Sequence, residues 1–304
     1  MNTSLLETAL PKAAGIGFKP KHLADLLANP SDVGWLEIHP ENYMGEGGVP
    51  HQNLKKIRQE LPLSMHGVGM SLGSADGVSE EHLKRLAKLV ERYQPAQVSE
   101  HLAWSHWNQI FLNDLLPMPY TQESLRLVAA NVEKVQDKLK RPILVENPSL
   151  YLGFKGNDFS EAEFFNCLVE QTGCGLLFDL NNLYVCANNL NFDAQEYLNE
   201  LHIEHIGEVH LAGHSSEILA DGSKLLIDDH GSLVRKEVWS LYQSLVQRLG
   251  SMPATLIEWD TDTPDFEQMN QQAALANQVA RAALSSELSV SLLSSSSPSQ
   301  ENAA

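Results

Sequence analysis

Cysteine is scarce in this 304-residue chain, with only Cys167, Cys174 and Cys186, an odd number and no CxxC pair. That excludes a disulfide framework and a thiolate zinc finger, leaves the three as core residues, and predicts a reducing, cytoplasmic setting. Basic residues are few as well: 21 Lys+Arg face 39 Asp+Glu, a net charge of −18. Sequence-independent binding of nucleic acid relies on Lys and Arg neutralising phosphates, so nucleic acid is excluded as a partner. No apolar run approaches the roughly 18–20 residues that span a bilayer, and Met1–Pro11 lacks a basic start and an apolar core. Neither a membrane association nor a secretion signal is expected. The GxGxxG fingerprint of a dinucleotide-binding sheet is missing too, which weakens the case for a doubly wound open fold.

What is present is a core-forming composition, 43% hydrophobic with 5 Trp, 7 Tyr and 9 Phe. Short apolar runs recur at Gly15–Phe18, Val33–His39, Leu63–Val68, Gln97–His101, Ile143–Asn147, Gly175–Leu180, Ile206–Leu211 and Thr255–Trp259. Several are continuously apolar, as in Pro142-Ile143-Leu144-Val145, which suits strands covered on both faces. Amphipathic helical patterns separate them, among them Glu80–Tyr93, Thr121–Leu139, Lys236–Leu249 and Asp265–Leu284. Eight strands alternating with helices predict an α/β fold, a (β/α)8 TIM barrel, as a single domain over residues 11–284. Residues 1–10 are expected to be a flexible segment, and 285–304, with its run Ser294-Ser295-Ser296-Ser297, a disordered tail.

Chemistry in such a barrel lies at the C-terminal ends of the strands. Those ends carry His39, His66, His101, Glu146, Asp179, His210 and Glu258, and a long seventh connection adds His214 and Asp228-Asp229-His230. A lone histidine at a strand end is ordinarily a hydrogen-bonded structural residue. Several carboxylates converging without Lys or Arg beside them repel one another, however, and burying them unpaired is costly. Divalent or trivalent cations relieve that repulsion, and they also account for the accompanying imidazoles. Glu100 precedes His101 and points to the other side of its strand, so it is expected to be structural. His22, His51, His82, His106, His202 and His205 fall in helices or loops and are expected at the surface. His39, Glu41, Asn42 and Asn147 are candidates for substrate contact.

The spacing resembles the metal site of xylose-isomerase-like and apurinic-site-endonuclease-like barrels. That resemblance implies one metal at His66, His101 and Glu146. Glu146 would bridge to a second held by Asp179, His210 and Glu258, with a third at Asp228 and His230. Asn182 stands where the endonuclease pattern has a histidine and is a candidate ligand there, a departure that makes the third position a labile one. Longer strings extend the likeness: Glu37-Ile38-His39-Pro40-Glu41-Asn42-Tyr43, Met65-His66-Gly67-Val68-Gly69-Met70, Ser99-Glu100-His101, Val145-Glu146-Asn147-Pro148-Ser149, Phe178-Asp179-Leu180-Asn181-Asn182 and Val209-His210-Leu211-Ala212-Gly213-His214. From about Gly15 to Asp262 the chain is similar to the multinuclear non-haem iron-dependent oxidative enzymes. The resemblance implies two or three irons of mixed Fe2+/Fe3+ valence. It also implies a Cys-containing precursor peptide as substrate and a partner protein that presents it.

Nitrogen and oxygen ligands without thiolates suit iron, manganese or zinc alike. What the resemblance implies is an iron-dependent, O2-consuming oxidase acting on peptide cysteines. A zinc or manganese hydrolase, a sugar isomerase, and a non-enzymatic metal- or peptide-binding module remain as alternatives. A lysine that polarises a sugar carbonyl is expected of an isomerase, and none is evident at a strand end.

Overall fold

Trp35 plugs the floor of a closed barrel, its indole against Leu256 and Ala254 and its Nε1–H donating to the Ala13 carbonyl at 2.9 Å. Gly15 lies opposite, and a Cβ there would sit 2.4 Å from the indole ring, so the closure requires a glycine. The computed structural model describes residues 9–28, 31–108 and 110–295.

Among these residues the strands are β1 (Ala14–Gly17), β2 (Trp35–Ile38), β3 (Leu63–Gly67), β4 (Gln97–His101), β5 (Trp104–Trp107), β6 (Ile110–Leu116), β7 (Leu144–Glu146), β8 (Gly175–Asp179), β9 (Ile206–Leu211), β10 (Ser215–Ile218), β11 (Lys224–Ile227) and β12 (Ala254–Ile257). The helices are α1 (Leu23–Ala28), α2 (Gly48–Ile57), α3 (Glu80–Tyr93), α4 (Gln122–Leu139), α5 (Glu161–Thr172), α6 (Leu180–Leu190), α7 (Ala194–Glu200), α8 (Lys236–Leu249) and α9 (Phe266–Ser295). Strands β1, β2, β3, β4, β7, β8, β9 and β12 close the barrel in that order, all parallel. This is the TIM barrel that the alternating pattern predicts, with all eight strands at the expected runs.

Side chains alternate across each strand. Val98, Val145, Phe178 and Val209 join the core that packs against the helices, beside Val132, Phe164, Phe165 and Tyr242. The intervening residues point inward, and above the Trp35 floor they are unusually polar: Glu37, Ser64, Ser99 and Glu208, all buried. Barrel interiors are ordinarily filled by branched aliphatic layers. Helix starts follow local rules. Thr121 caps α4 and exchanges bonds with Ser124, and Ser160 does the same with Glu163 before α5.

Two hairpins, β5–β6 and β10–β11, were not evident from the apolar runs. Both rise from the C-terminal side of the barrel, and β6 is exposed along most of its length. Helix α9 continues through Ser295, covering the first part of the expected tail. Residues 1–8 and 296–304 of the expected flexible ends lie outside the described residues.

Candidate metal centre

The upper inward layer brings together the C-terminal residues of six strands. His66 from β3 and His101 from β4 direct their Nε2 atoms at Glu146 Oε2 on β7, at 2.9 and 3.1 Å, with the two nitrogens 3.4 Å apart. Glu146 Oε2 nevertheless has no aligned hydrogen bond. Two imidazole nitrogens and a carboxylate oxygen that face one point, the oxygen unbonded, are arranged as ligands are around a cation. The far sides of both rings are fixed: His66 Nδ1 meets Ser99 Oγ at 2.9 Å, and His101 Nδ1 meets the Gly67 carbonyl at 3.0 Å. Such outer contacts set which ring nitrogen is presented.

Glu146, Asp179, His210 and Glu258 form a second group, their donor atoms all within 4.8 Å of one another. His210 Nδ1 lies 3.0 Å from Glu258 Oε2 and 3.7 Å from Glu146 Oε1. Glu146 thus faces one group with each oxygen. Asp179 caps α6, its Oδ1 accepting from Asn182 N–H at 2.7 Å, while its Oδ2 is buried without a partner. A third group forms at the rim. There His230 Nε2 lies 2.7 Å from Asp228 Oδ1, and His230 Nδ1 lies 3.2 Å from Glu258 Oε2 and 3.5 Å from Asp260 Oδ2. His230 adopts a positive φ of 44°, a strained conformation for a side chain of this size, which the surrounding contacts must hold.

The electrostatics are those of a site whose charges await a counter-charge. Burial pushes the Glu146 carboxyl up, but the imidazoles of His101, His66 and His210 outweigh it and hold the group at about 2. Burial likewise disfavours the His101 cation, yet Glu146 and Glu100 raise it to about 10. His210 and His230 are also driven well above the usual imidazole range, against burial, by Glu258 with Glu37 and with Asp228 respectively. Asp179 goes the other way: burial lifts it well above the carboxylate range, and Glu146 and Asp228 add to the lift. Protons on His101, His210 and His230 therefore offset the carboxylates in the metal-free chain. A bound cation would take their place, and the all N/O donor set fits iron, manganese or zinc.

The remaining sequence candidates divide. His39 lies at the rim, Nδ1 against the His66 carbonyl at 3.1 Å and Nε2 3.8 Å from Asp260, which, against burial, raises it to about 9. Asn42 lines an adjoining pocket with His39 and Tyr43. Glu41 is turned to the framework, its Oε1 accepting from Val68 and Gly69 N–H, both at 3.1 Å. Asn147 clasps β8: its Oδ1 accepts from Asp179 N–H at 2.8 Å and its Nδ2 donates to the Asp179 carbonyl at 2.9 Å. Its amide is thereby committed, and it is a framework residue. Asn182 lines the cleft, but its amide donates to the Asn147 carbonyl at 3.0 Å and accepts from Ser149 Oγ at 3.0 Å. The neighbouring Asn181 is the one that reaches the third group, donating to Asp228 Oδ1 at 2.7 Å.

Several expectations need correction. His22 and His51 are buried, not at the surface: His22 Nε2 meets the Pro264 carbonyl at 2.9 Å, and His51 stacks on Tyr93. Cys174 and Cys186 are buried, whereas Cys167 is only half-buried. A lysine does stand at a strand end. Lys19, just past β1, pairs with Asp260 at 3.3 Å, a contact across the barrel seam that no local spacing reveals. Glu37 and Glu208 were also missed, although each stands two residues before a strand-end histidine and so on the same inward face. Glu100 does point away from the centre, accepting from Met70 N–H at 3.1 Å.

Above the centre opens a cleft of about 550 Å³, walled by Phe111 and Leu115 of β6 on one side and Tyr151, Asp228 and Asp229 on the other. Among the described residues, no helix is long and apolar enough to cross a membrane.

Residues 13–281 match the family model described as RiPP precursor modification enzyme MbnB/TglH/ChrH. The chain is 48% identical over 265 residues to a UPF0276 protein of Paraburkholderia phytofirmans, covering 87% of this chain and 86% of that one. It is 47% identical over 264 residues to a UPF0276 protein of Rhizobium meliloti, covering 86% and 85%. Similar solved structures include a xylose isomerase-like TIM barrel protein from Mycobacterium smegmatis in complex with magnesium (TM-score 0.56, 14% identity, 87% of each chain). Endonuclease IV from Thermus thermophilus matches with a TM-score of 0.55 at 17% identity, covering 91% of this chain and all of that one. At these identities the structural likeness is one of fold.

Proposed function

The chain belongs to the MbnB/TglH/ChrH family of RiPP precursor modification enzymes, and on that premise we propose that it is an O2-dependent, multinuclear iron oxidase acting on cysteine residues of a precursor peptide. The observation that carries this reading is the convergence of three histidine–carboxylate groups on the two oxygens of Glu146 and on Glu258, with no thiolate among them.

His66, His101 and Glu146 would hold one iron, and Glu146, Asp179, His210 and Glu258 a second. Asp228 and His230 would hold a third, which is expected to be labile because neither Asn182 nor Asn181 offers it a free imidazole-like donor. Iron bound there supplies one-electron chemistry with O2, which cysteine modification needs and the side chains cannot provide. The protein's own part is placement. Ser99 and the Gly67 carbonyl keep both Nε2 atoms aimed inward. The cleft between Phe111 and Tyr151 would take the peptide and hold its cysteine over the centre. A separate partner protein would present the peptide.

The test uses protein purified without oxygen and loaded with iron or zinc, then given a Cys-containing precursor peptide, its partner protein and O2. Iron-loaded protein should consume O2 and change the peptide's mass, and His66→Ala and His210→Ala should abolish both. Equal turnover by zinc-loaded protein would sink the redox reading and favour hydrolysis.

A further inference from the structure

The geometry points to Glu37 and Glu208 as positioning residues of the metal centre, which receive the Nε2–H of His210 and so turn its Nδ1 to the second ion. This inference rests on the metal-binding reading above. His210 spans two layers of the barrel. Its Nδ1 lies among the upper carboxylates, 3.0 Å from Glu258 Oε2, and its Nε2 points down to Glu37 Oε1 and Glu208 Oε1, each at 3.4 Å.

Burial makes the arrangement informative. Glu37 is 3% exposed and Glu208 and His210 are 0% exposed, in a layer where a barrel ordinarily packs aliphatic side chains. Glu37 Oε2, Glu208 Oε1 and His210 Nε2 all lack an aligned hydrogen bond, so the three groups have been brought together without satisfying one another. Two carboxylates in a closed interior are expensive to retain unless something uses them. An imidazole that binds a cation through Nδ1 keeps its proton on Nε2, and these two carboxyl groups are the acceptors nearest to it. Ser64 Oγ donates to Glu208 Oε2 at 3.2 Å, which pins the carboxylate and leaves Oε1 for the ring. An anionic acceptor behind a ligating histidine fixes the ring and makes it a stronger donor to the metal. The same layer does this for the first ion with neutral groups, Ser99 Oγ and the Gly67 carbonyl. The second ion has two buried carboxyl groups behind its histidine.

The experiment uses the full-length protein titrated with Zn2+ and Co2+. Stoichiometry at saturation, affinity by chelator competition and the visible spectrum of the Co2+ form are read for wild type, His210→Ala, Glu37→Gln, Glu208→Gln and the double Gln variant. His210→Ala should lose an equivalent. The Gln variants should keep full stoichiometry but bind one ion about 10–100-fold more weakly, with shifted Co2+ bands, and Glu208→Asp should restore part of the loss. Unchanged affinity and spectrum in the double variant would overturn the inference. So would loss of a whole equivalent there, because the two carboxylates would then be ligands themselves. If His210→Ala kept every ion, the metal reading would be what had failed. A measurement on wild type stands apart from whether any variant folds: nitrogen-15 NMR of the Zn2+ form should show His210 bound through Nδ1 with a protonated Nε2, and binding through Nε2 would refute the role.

Discussion

Glu146 offers Oε2 to His66 and His101 and Oε1 to His210, so its substitution tests bridging directly. Glu146→Gln keeps the shape but replaces a shared anion with an amide that bridges cations poorly. It should lower bound metal by more than one equivalent, measured by elemental analysis after desalting, and full retention would refute the bridge. The same residues set a pH dependence. Glu146 is depressed to about 2, so its contribution to the metal-free fold is present above the ordinary carboxylate value and is lost as pH falls through about 2. His101 is raised to about 10, so its contribution is complete below the ordinary imidazole value and is lost as pH rises through about 10. Cations compete with that imidazole proton. The gap in melting temperature between metal-loaded and metal-free protein should therefore widen from about pH 6 to about pH 9, where the proton is held progressively less. A gap that narrowed over this range in calorimetry would contradict the assignment of His101 as a ligand.

At the scale of elements, β7, β8 and α6 are joined by one side chain. Asn147 satisfies both backbone groups of Asp179, the residue that ends β8, caps α6 and presents its second oxygen to the centre. Asn147→Ala leaves the buried Asp179 N–H unmatched and should cost about 1–3 kcal/mol in denaturant unfolding. Metal bound at the second position should weaken with it, because Asp179 would lose its anchor. Wild-type stability in that variant would show the clasp to be dispensable. The β5–β6 hairpin illustrates what element-level reading misses. Its exposed Ile110, Phe111 and Leu112 cover no core, so neither face shows the in–out alternation that marks a half-buried strand. Its pairing also shifts register between Trp104 and His106, which breaks the period further.

For the whole molecule, the centre is both a working site and a cost to the fold. Glu37, Glu146, Asp179, Glu208 and Glu258 are all buried within the barrel or at its mouth, and Glu208 is lifted to about 8 by burial and the charge of Glu37. Ligands that bind only the folded chain stabilise it, by about 4 kcal/mol at a thousandfold excess over Kd. Loading with metal should raise the melting temperature by several degrees, and a chelator should reverse the rise. No shift on loading, with metal shown to be bound, would mean that the site is equally formed in the unfolded ensemble.

The sequence by itself determined the barrel, because a continuously apolar strand covered on both faces and an amphipathic helix are local patterns that repeat along the chain. It also singled out His66, His101, Glu146, Asp179, His210 and Glu258, since strand ends are where a parallel barrel collects its polar side chains. Tertiary structure alone decided how those side chains divide their work. Asn147 and Asn182 look like neighbours of ligands in the sequence, and folding spends their amides on backbone and Ser149. Lys19 and Asp260 are 241 positions apart, and they meet only because β1 closes on β12. Glu37 and Glu208 become partners for the same reason. Which side chains converge inside a closed barrel depends on strand order, closure and register, long-range pairings that no local periodicity encodes.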